Sequence, residues 1–160
     1  MPFSALGLAP SLAHAAASQG LIAPTPVQSQ AIPAILNGHD LRACAPTGSG
    51  KTAAYVLPLL QQWLLSDAAQ RQGSRSTQAL VLVPTRELAA QVAELIYHVG
   101  EAMGRRPKVA VLTGGVSINP QLMALRGGAD MVIATPGRLL DVVAHSQLKL
   151  HTIDTLVMDE

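Results

Sequence analysis

Ala45-Pro46-Thr47-Gly48-Ser49-Gly50-Lys51-Thr52 gathers two glycines, a lysine and a threonine into eight residues, set between an apolar run and a helical pattern. Leu41-Arg42-Ala43-Cys44-Ala45 before it predicts a buried strand, and Thr52-Ala53-Ala54-Tyr55-Val56-Leu57 after it predicts the start of a helix. Strand, glycine-rich turn and helix together are the setting of a phosphate-binding loop. Gly48 and Gly50 allow the tight turn that aims backbone N–H groups at phosphate oxygens, and the helix N-terminus adds partial positive charge. In that reading Thr47, Gly48, Ser49 and Gly50 cradle the phosphates of a nucleoside triphosphate. Lys51 reaches the β- and γ-phosphates, and Thr52 offers its hydroxyl to Mg²⁺. Ala45 stands where the general pattern has glycine, and the competing reading is an ordinary turn with Lys51 solvated at a helix start.

The chain has 160 residues, 49% of them hydrophobic, which is enough for one globular domain with its own core. Aromatic residues make up only 2%, so the core must come from aliphatic side chains, and a stacking platform for nucleic-acid bases is not expected. A net charge of +1 excludes a broad basic footprint; contact with a polyanion would have to be local and assisted by backbone N–H groups. The single cysteine, Cys44, excludes an intramolecular disulfide, and no Cys or His spacing suits a structural zinc. Within its apolar run Cys44 reads as a small buried hydrophobe, in keeping with a reducing compartment. His14, His39, His98, His145 and His151 read as surface or helix-end residues. No signal segment and no stretch of membrane-spanning length is visible, so a cytoplasmic location without membrane contact is expected.

Further along, Ala79–Val83, Val109–Leu112, Met131–Ala134 and Thr155–Met158 read, like Leu41–Ala45, as strands buried on both faces, and amphipathic stretches at 51–65, 85–102, 117–126 and 136–145 alternate with them. That alternation predicts an α/β fold of parallel strands joined by right-handed helical crossovers. Residues 1–40 form a helical region interrupted at Pro24 and Pro26, residues 41–160 the sheet-containing part, and Ser66–Gln78 a flexible loop. In open α/β sheets ligands gather at the carboxyl ends of the strands. There the sequence places Pro46-Thr47-Gly48, Pro84-Thr85-Arg86, Thr113-Gly114-Gly115, Thr135-Pro136-Gly137-Arg138 and Asp159-Glu160.

These residues, in this order, resemble the first RecA-like domain of DEAD-box ATP-dependent RNA helicases, most closely the bacterial RhlE type, over essentially the whole chain. Phe3 followed by Gly20 to Gln28 resembles the Q motif, Ala45 to Thr52 motif I, Pro84 to Ala89 motif Ia, Gly114-Gly115 the family's glycine pair, Thr135 to Arg138 motif Ib, and Val157 to Glu160 the opening of motif II. Alanine is usual in the family at the position of Ala45; Pro46 and Leu21 depart from its pattern.

The resemblance implies a RecA-like sheet with helices on both faces, incomplete at the C-terminus, that binds ATP and Mg²⁺. Thr25 would be among the nucleotide-binding residues, and Gln28 would recognise the adenine, because an amide donates and accepts at once; the alternative for Gln28 is an ordinary helix glutamine. Phe3 either covers the adenine or anchors the N-terminal segment. Lys51, Asp159 and Glu160 would be catalytic, with Thr52 and Asp159 on Mg²⁺ and Glu160 orienting the attacking water; a solvated chain terminus is the alternative for the two acids. Pro84, Thr85, Arg86, Gly115, Thr135, Pro136, Gly137 and Arg138 would hold RNA by phosphate and ribose without reading bases. For Arg86 the alternative is a helix-surface ion pair with Glu87 or another acid, and Arg138 has a similar alternative.

A second RecA-like domain carrying arginine fingers is implied but absent, so the chain alone is expected to be inactive. The expected whole protein is an ATP-dependent helicase that remodels RNA duplexes or ribonucleoproteins, with ribosome assembly one setting. The other readings are a non-catalytic nucleotide- or RNA-binding fragment and a DNA-directed helicase domain of superfamily 2.

Overall fold

The structure is a computed structural model that describes residues 2–70, 75–145 and 148–159. The chain divides into two compact units, Met1–Asp67 with Leu95–Arg106, and Ala68–Glu94 with Pro107–Glu160.

The first unit is helical. A single 3-10 turn at Phe3–Leu6 precedes helix α1 (Pro10–Ser18) and helix α2 (Pro26–Leu36), and helix α3 (Lys51–Gln70) begins at the glycine-rich turn. Pro26 occupies the first helical position of α2, where its missing N–H and fixed φ cost nothing. Phe3, Leu12, Ile32, Val56, Leu57 and Leu60 are buried. Residues Ala53 to Leu60 of α3, the interior Pro58 among them, are all buried, so this part of the helix is covered all round, whereas Leu65 further on is exposed. The α1 entry is tied to α3 by the Ala9 N–H donating to Gln61 Oε1 at 2.8 Å.

Strands β1 (Ala79–Leu82), β2 (Val109–Leu112), β3 (Met131–Ala134) and β4 (Thr155–Met158) form one parallel sheet in the order β2-β3-β1-β4 within the second unit. Helix α4 (Arg86–Ala102) follows β1, α5 (Asn119–Ala124) follows β2, and α6 (Pro136–His145) follows β3. The path from β1 to β2 runs one way along the sheet, and those to β3 and β4 run back. Right-handed crossovers therefore put α4 on one face and α5 and α6 on the other. Side-chain packing agrees with this placement for α5 and α6. Leu80, Ala110, Leu112, Val132 and Ala134, all on one face, cluster with Leu139 and Val142 of α6 and with Leu122 of α5. No described helix is long and apolar enough to cross a membrane.

Four expectations are corrected. Leu41–Ala45 is irregular and largely exposed: Arg42 interrupts the run, and among the described residues no strand pairs with it. Cys44 is therefore exposed rather than buried. Among the described strands β4 pairs only with β1, so it is an edge strand, and Leu156 (54%) and Met158 (76%) are exposed instead of buried on both faces. Finally, α3 continues to Gln70 through the good helix formers Ala68, Ala69 and Gln70, which shortens the expected loop. Residues 71–74 of that loop lie outside the described residues. Its end is fixed: Arg75 Nη1 donates to Asp130 Oδ2 at 2.7 Å, and Thr77 Oγ1 donates to the Ala129 carbonyl at 3.1 Å.

Candidate functional site

Thr25 opens α2 with a reciprocal cap: its hydroxyl accepts from the Gln28 N–H, and Gln28 Oε1 accepts from the Thr25 N–H at 3.0 Å. The Thr-x-x-Gln spacing carried that signal in the sequence. The other end of the same amide leaves the helix, because Gln28 Nε2 donates to the Gly50 carbonyl at 3.0 Å. Gln28 is only 1% exposed and joins the start of α2 to the glycine-rich turn. Gly50 has φ +93°, and any Cβ there would collide with Gln28 Nε2, so both backbone conformation and close approach demand glycine.

The turn itself is curled inward. Ser49 N–H donates to the Pro46 carbonyl at 3.2 Å, while Lys51 Nζ donates to the Ala45 and Pro46 carbonyls at 2.6 and 3.3 Å. Ser49 Oγ is buried without a partner. The donor set suits a polyphosphate: an ammonium, a hydroxyl at Thr52, and the first N–H groups of α3, which have no intrahelical acceptor. Lys51's charge faces carbonyl oxygens that an anion would replace. Phe3 is buried in its 3-10 turn.

In the second unit the strand register sets Leu82 level with Ala134 and Met158, and Ala134 level with Leu112. Four strands thus end together, and the segments starting at Val83, Thr113, Thr135 and Asp159 leave from one edge. Asp159 is buried there and its N–H donates to the Leu82 carbonyl at 2.9 Å. Glu160 lies outside the described residues. Among the described residues no group of three or more His, Cys, Asp or Glu side chains could hold a metal by itself. A Mg²⁺ here would need oxygens from nucleotide and water, as is usual for that ion.

The structure brings three of the expected RNA residues together. Arg86, at the start of α4, lies over Gly115 so closely that a Cβ on Gly115 (φ +78°) would meet its Nη1 at 2.6 Å. Arg138 Nη2 donates to the Val116 carbonyl at 2.9 Å. Its side chain is 11% exposed, its Nε stands 3.7 Å from Asp141 Oδ2, and its Nη1 is buried without a partner. Arg86 is 3.9 Å from Glu87, an open and exposed pair that leaves the guanidinium accessible. Thr85 Oγ1 accepts from the Leu88 N–H at 3.2 Å, capping α4, and its hydroxyl proton remains available to a ligand. Pro84, Thr85, Pro136 and Gly137 are exposed, and Thr135 is half-buried. Sequence reasoning missed Gln121. This buried amide of α5 holds both the N–H and the carbonyl of Thr113, at 3.1 and 3.0 Å, and no local motif announces it.

Comparison with known proteins places this arrangement. The DEAD/DEAH box helicase family matches residues 25–160. The DEAD-box ATP-dependent RNA helicase CshA of Streptococcus pneumoniae serotype 4 is 42% identical over the whole of this chain, which spans 29% of that relative's length. The crystal structure of a DEAD box protein from Methanococcus jannaschii superposes with a TM-score of 0.83 at 35% identity, covering 100% of this chain and 41% of that one. That of the RNA helicase Prp28 from Chaetomium thermophilum bound to ADP gives 0.82 at 37% identity, covering 97% and 37%. With its parallel sheet, crossover helices on both faces and glycine-rich turn before α3, the chain belongs to the DEAD/DEAH box helicase family as a RecA-like domain of the DEAD-box type.

Proposed function

We propose that this domain binds ATP with Mg²⁺ and the backbone of RNA, and that the whole protein containing it is a cytoplasmic, RhlE-like helicase that uses ATP hydrolysis to remodel RNA duplexes or ribonucleoproteins. The observation that carries the reading is the common level at which β1, β2, β3 and β4 end. It sets Arg86, Gly115, Thr135 and Asp159 on one edge of the second unit. An accessible guanidinium, a bare glycine backbone and hydroxyls suit phosphate and ribose oxygens and do not discriminate bases. Arg138 holds the loop that presents Gly115.

On the nucleotide side, Gln28 has a second amide proton and a second lone pair beyond the two bonds it makes internally, which suits an adenine edge. Lys51 supplies the point charge for the outer phosphates. Bound Mg²⁺ would neutralise developing phosphate charge, and Thr52 offers it a hydroxyl. Asp159 supplies a carboxylate at the strand end, and Glu160 orients water. Stabilising the transition state further requires cationic groups from a second RecA-like domain.

The test is RNA-stimulated ATP hydrolysis by a full-length protein carrying this chain. Lys51→Ala is expected to lower turnover by at least about a hundredfold, while the 160-residue chain alone shows little hydrolysis and no unwinding. Turnover by Lys51→Ala near the unmodified rate, or robust RNA-stimulated hydrolysis by the chain alone, overturns the assignment.

A further inference from the structure

We infer that Gln121 is a positioning residue for RNA: its amide shapes the Thr113–Ser117 loop so that the Gly115 backbone meets the nucleic-acid backbone. The inference rests on the RNA reading above and assigns to that surface a residue outside all of its motifs.

β2 lies at the edge of the sheet. Peptide groups alternate sides along a strand, and the Leu112 carbonyl accepts from the Thr135 N–H at 2.9 Å, on the side facing β3. Thr113, the next residue, therefore turns its N–H and carbonyl to the open edge, where no described strand satisfies them. Gln121 supplies both partners. Its Oε1 accepts from the Thr113 N–H and its Nε2 donates to the Thr113 carbonyl, as a neighbouring strand would. The second Nε2 proton points to the Ser117 carbonyl at 3.4 Å. One buried side chain thus grips both ends of a five-residue loop whose centre, Gly114-Gly115, is the part most free to adopt other conformations.

The rest of the loop is held from other helices. Arg138 of α6 takes the Val116 carbonyl, and Arg86 of α4 lies over Gly115. An edge cap needed only for stability would stop at Thr113. Here the contacts converge on the loop, and its central residue is left exposed. A preshaped loop presents its backbone without first losing conformational freedom, so freeing it weakens RNA and leaves nucleotide binding alone.

The experiment measures binding of a fluorescein-labelled ten-nucleotide oligouridylate to a full-length protein carrying this chain, with a non-hydrolysable ATP analogue present. Gln121→Met keeps the shape and removes the hydrogen bonds. Gln121→Glu keeps the acceptor but confronts the Thr113 and Ser117 carbonyls with a second acceptor, and it serves if the methionine variant fails to fold. Each is expected to weaken RNA about tenfold, to raise the RNA concentration for half-maximal stimulation of hydrolysis, and to leave the rate at saturating RNA and the affinity for ATP alone unchanged. Thr77→Val, which removes a buried hydrogen bond to Ala129 at the opposite end of the sheet, is expected to leave RNA affinity within about twofold. Arg86→Ala reports on the RNA surface itself. If it weakens RNA and the Gln121 variants do not, the positioning role is wrong and the RNA reading stands. Equal weakening by Thr77→Val would assign the effect to stability and overturn the inference. If Arg86→Ala also leaves RNA affinity intact, the RNA reading falls and the inference falls with it.

Discussion

Gln28 shows how much one side chain can hold. Its amide closes the cap of α2 at one end and pins the Gly50 carbonyl at the other, with almost no exposure. Gln28→Ala leaves the Thr25 N–H and the Gly50 carbonyl without those partners, so a loss of about 1–3 kcal/mol is expected in denaturant melts. In a full-length protein the same change should weaken ATP far more than any residual GTP binding, because guanine reverses the donor and acceptor pattern that the amide meets. Equal losses for the two nucleotides would confine Gln28 to a structural role. The requirement for glycine at position 50 was legible in the loop pattern, but the reason for it was not. The collision with Gln28 comes from a residue 22 positions away, and only the fold brings the two together. Gln121 was illegible for the same reason: a glutamine in a short amphipathic stretch carries no mark of the strand edge it will cover.

At the level of elements, the sequence was most readable where a short apolar run has at least one strand to pair with. β2, β3 and β4 occupy the predicted residues, and β1 ends one residue short of the predicted Val83. Burial was less readable than position. Whether a strand is covered on both faces depends on its neighbours, which is why β4 has the predicted span and yet exposes Leu156 and Met158. Leu41–Ala45 carries the same apolar signal and forms no strand, since a ladder needs a partner that its own residues cannot provide. Helix starts were fixed locally, Thr25 and Pro26 together opening α2. Removing that cap with Thr25→Ala is expected to lower stability by about 0.5–1 kcal/mol, the low end of the range for caps, because the Oγ1 contact is long at 3.5 Å. Hydrogen exchange should rise first in the opening turn of α2; protection there equal to that of the unmodified chain would show that Pro26 and the Gln28 bridge suffice without the hydroxyl.

For the molecule as a whole, the open edge of β4 governs how the 160-residue chain behaves by itself. The Thr155 and Asp159 N–H groups donate to the Gln78 and Leu82 carbonyls, toward β1. Alternation then turns the peptide groups of Leu156 and Met158 outward, where no described strand pairs with them. Their side chains are exposed as well, so unpaired backbone and apolar surface coincide on one strand with no lysine or proline within it. Such an edge is a template for another strand, including that of a second copy. The chain alone is therefore expected to associate in a concentration-dependent way at micromolar levels. Met158→Lys should reduce that association by placing a charge on the edge, with little change in far-ultraviolet circular dichroism. Light scattering on both forms decides the matter. A chain that stays monomeric and unfolds cooperatively, or a Met158→Lys form that associates as readily as the unmodified one, would locate the sticking surface away from β4.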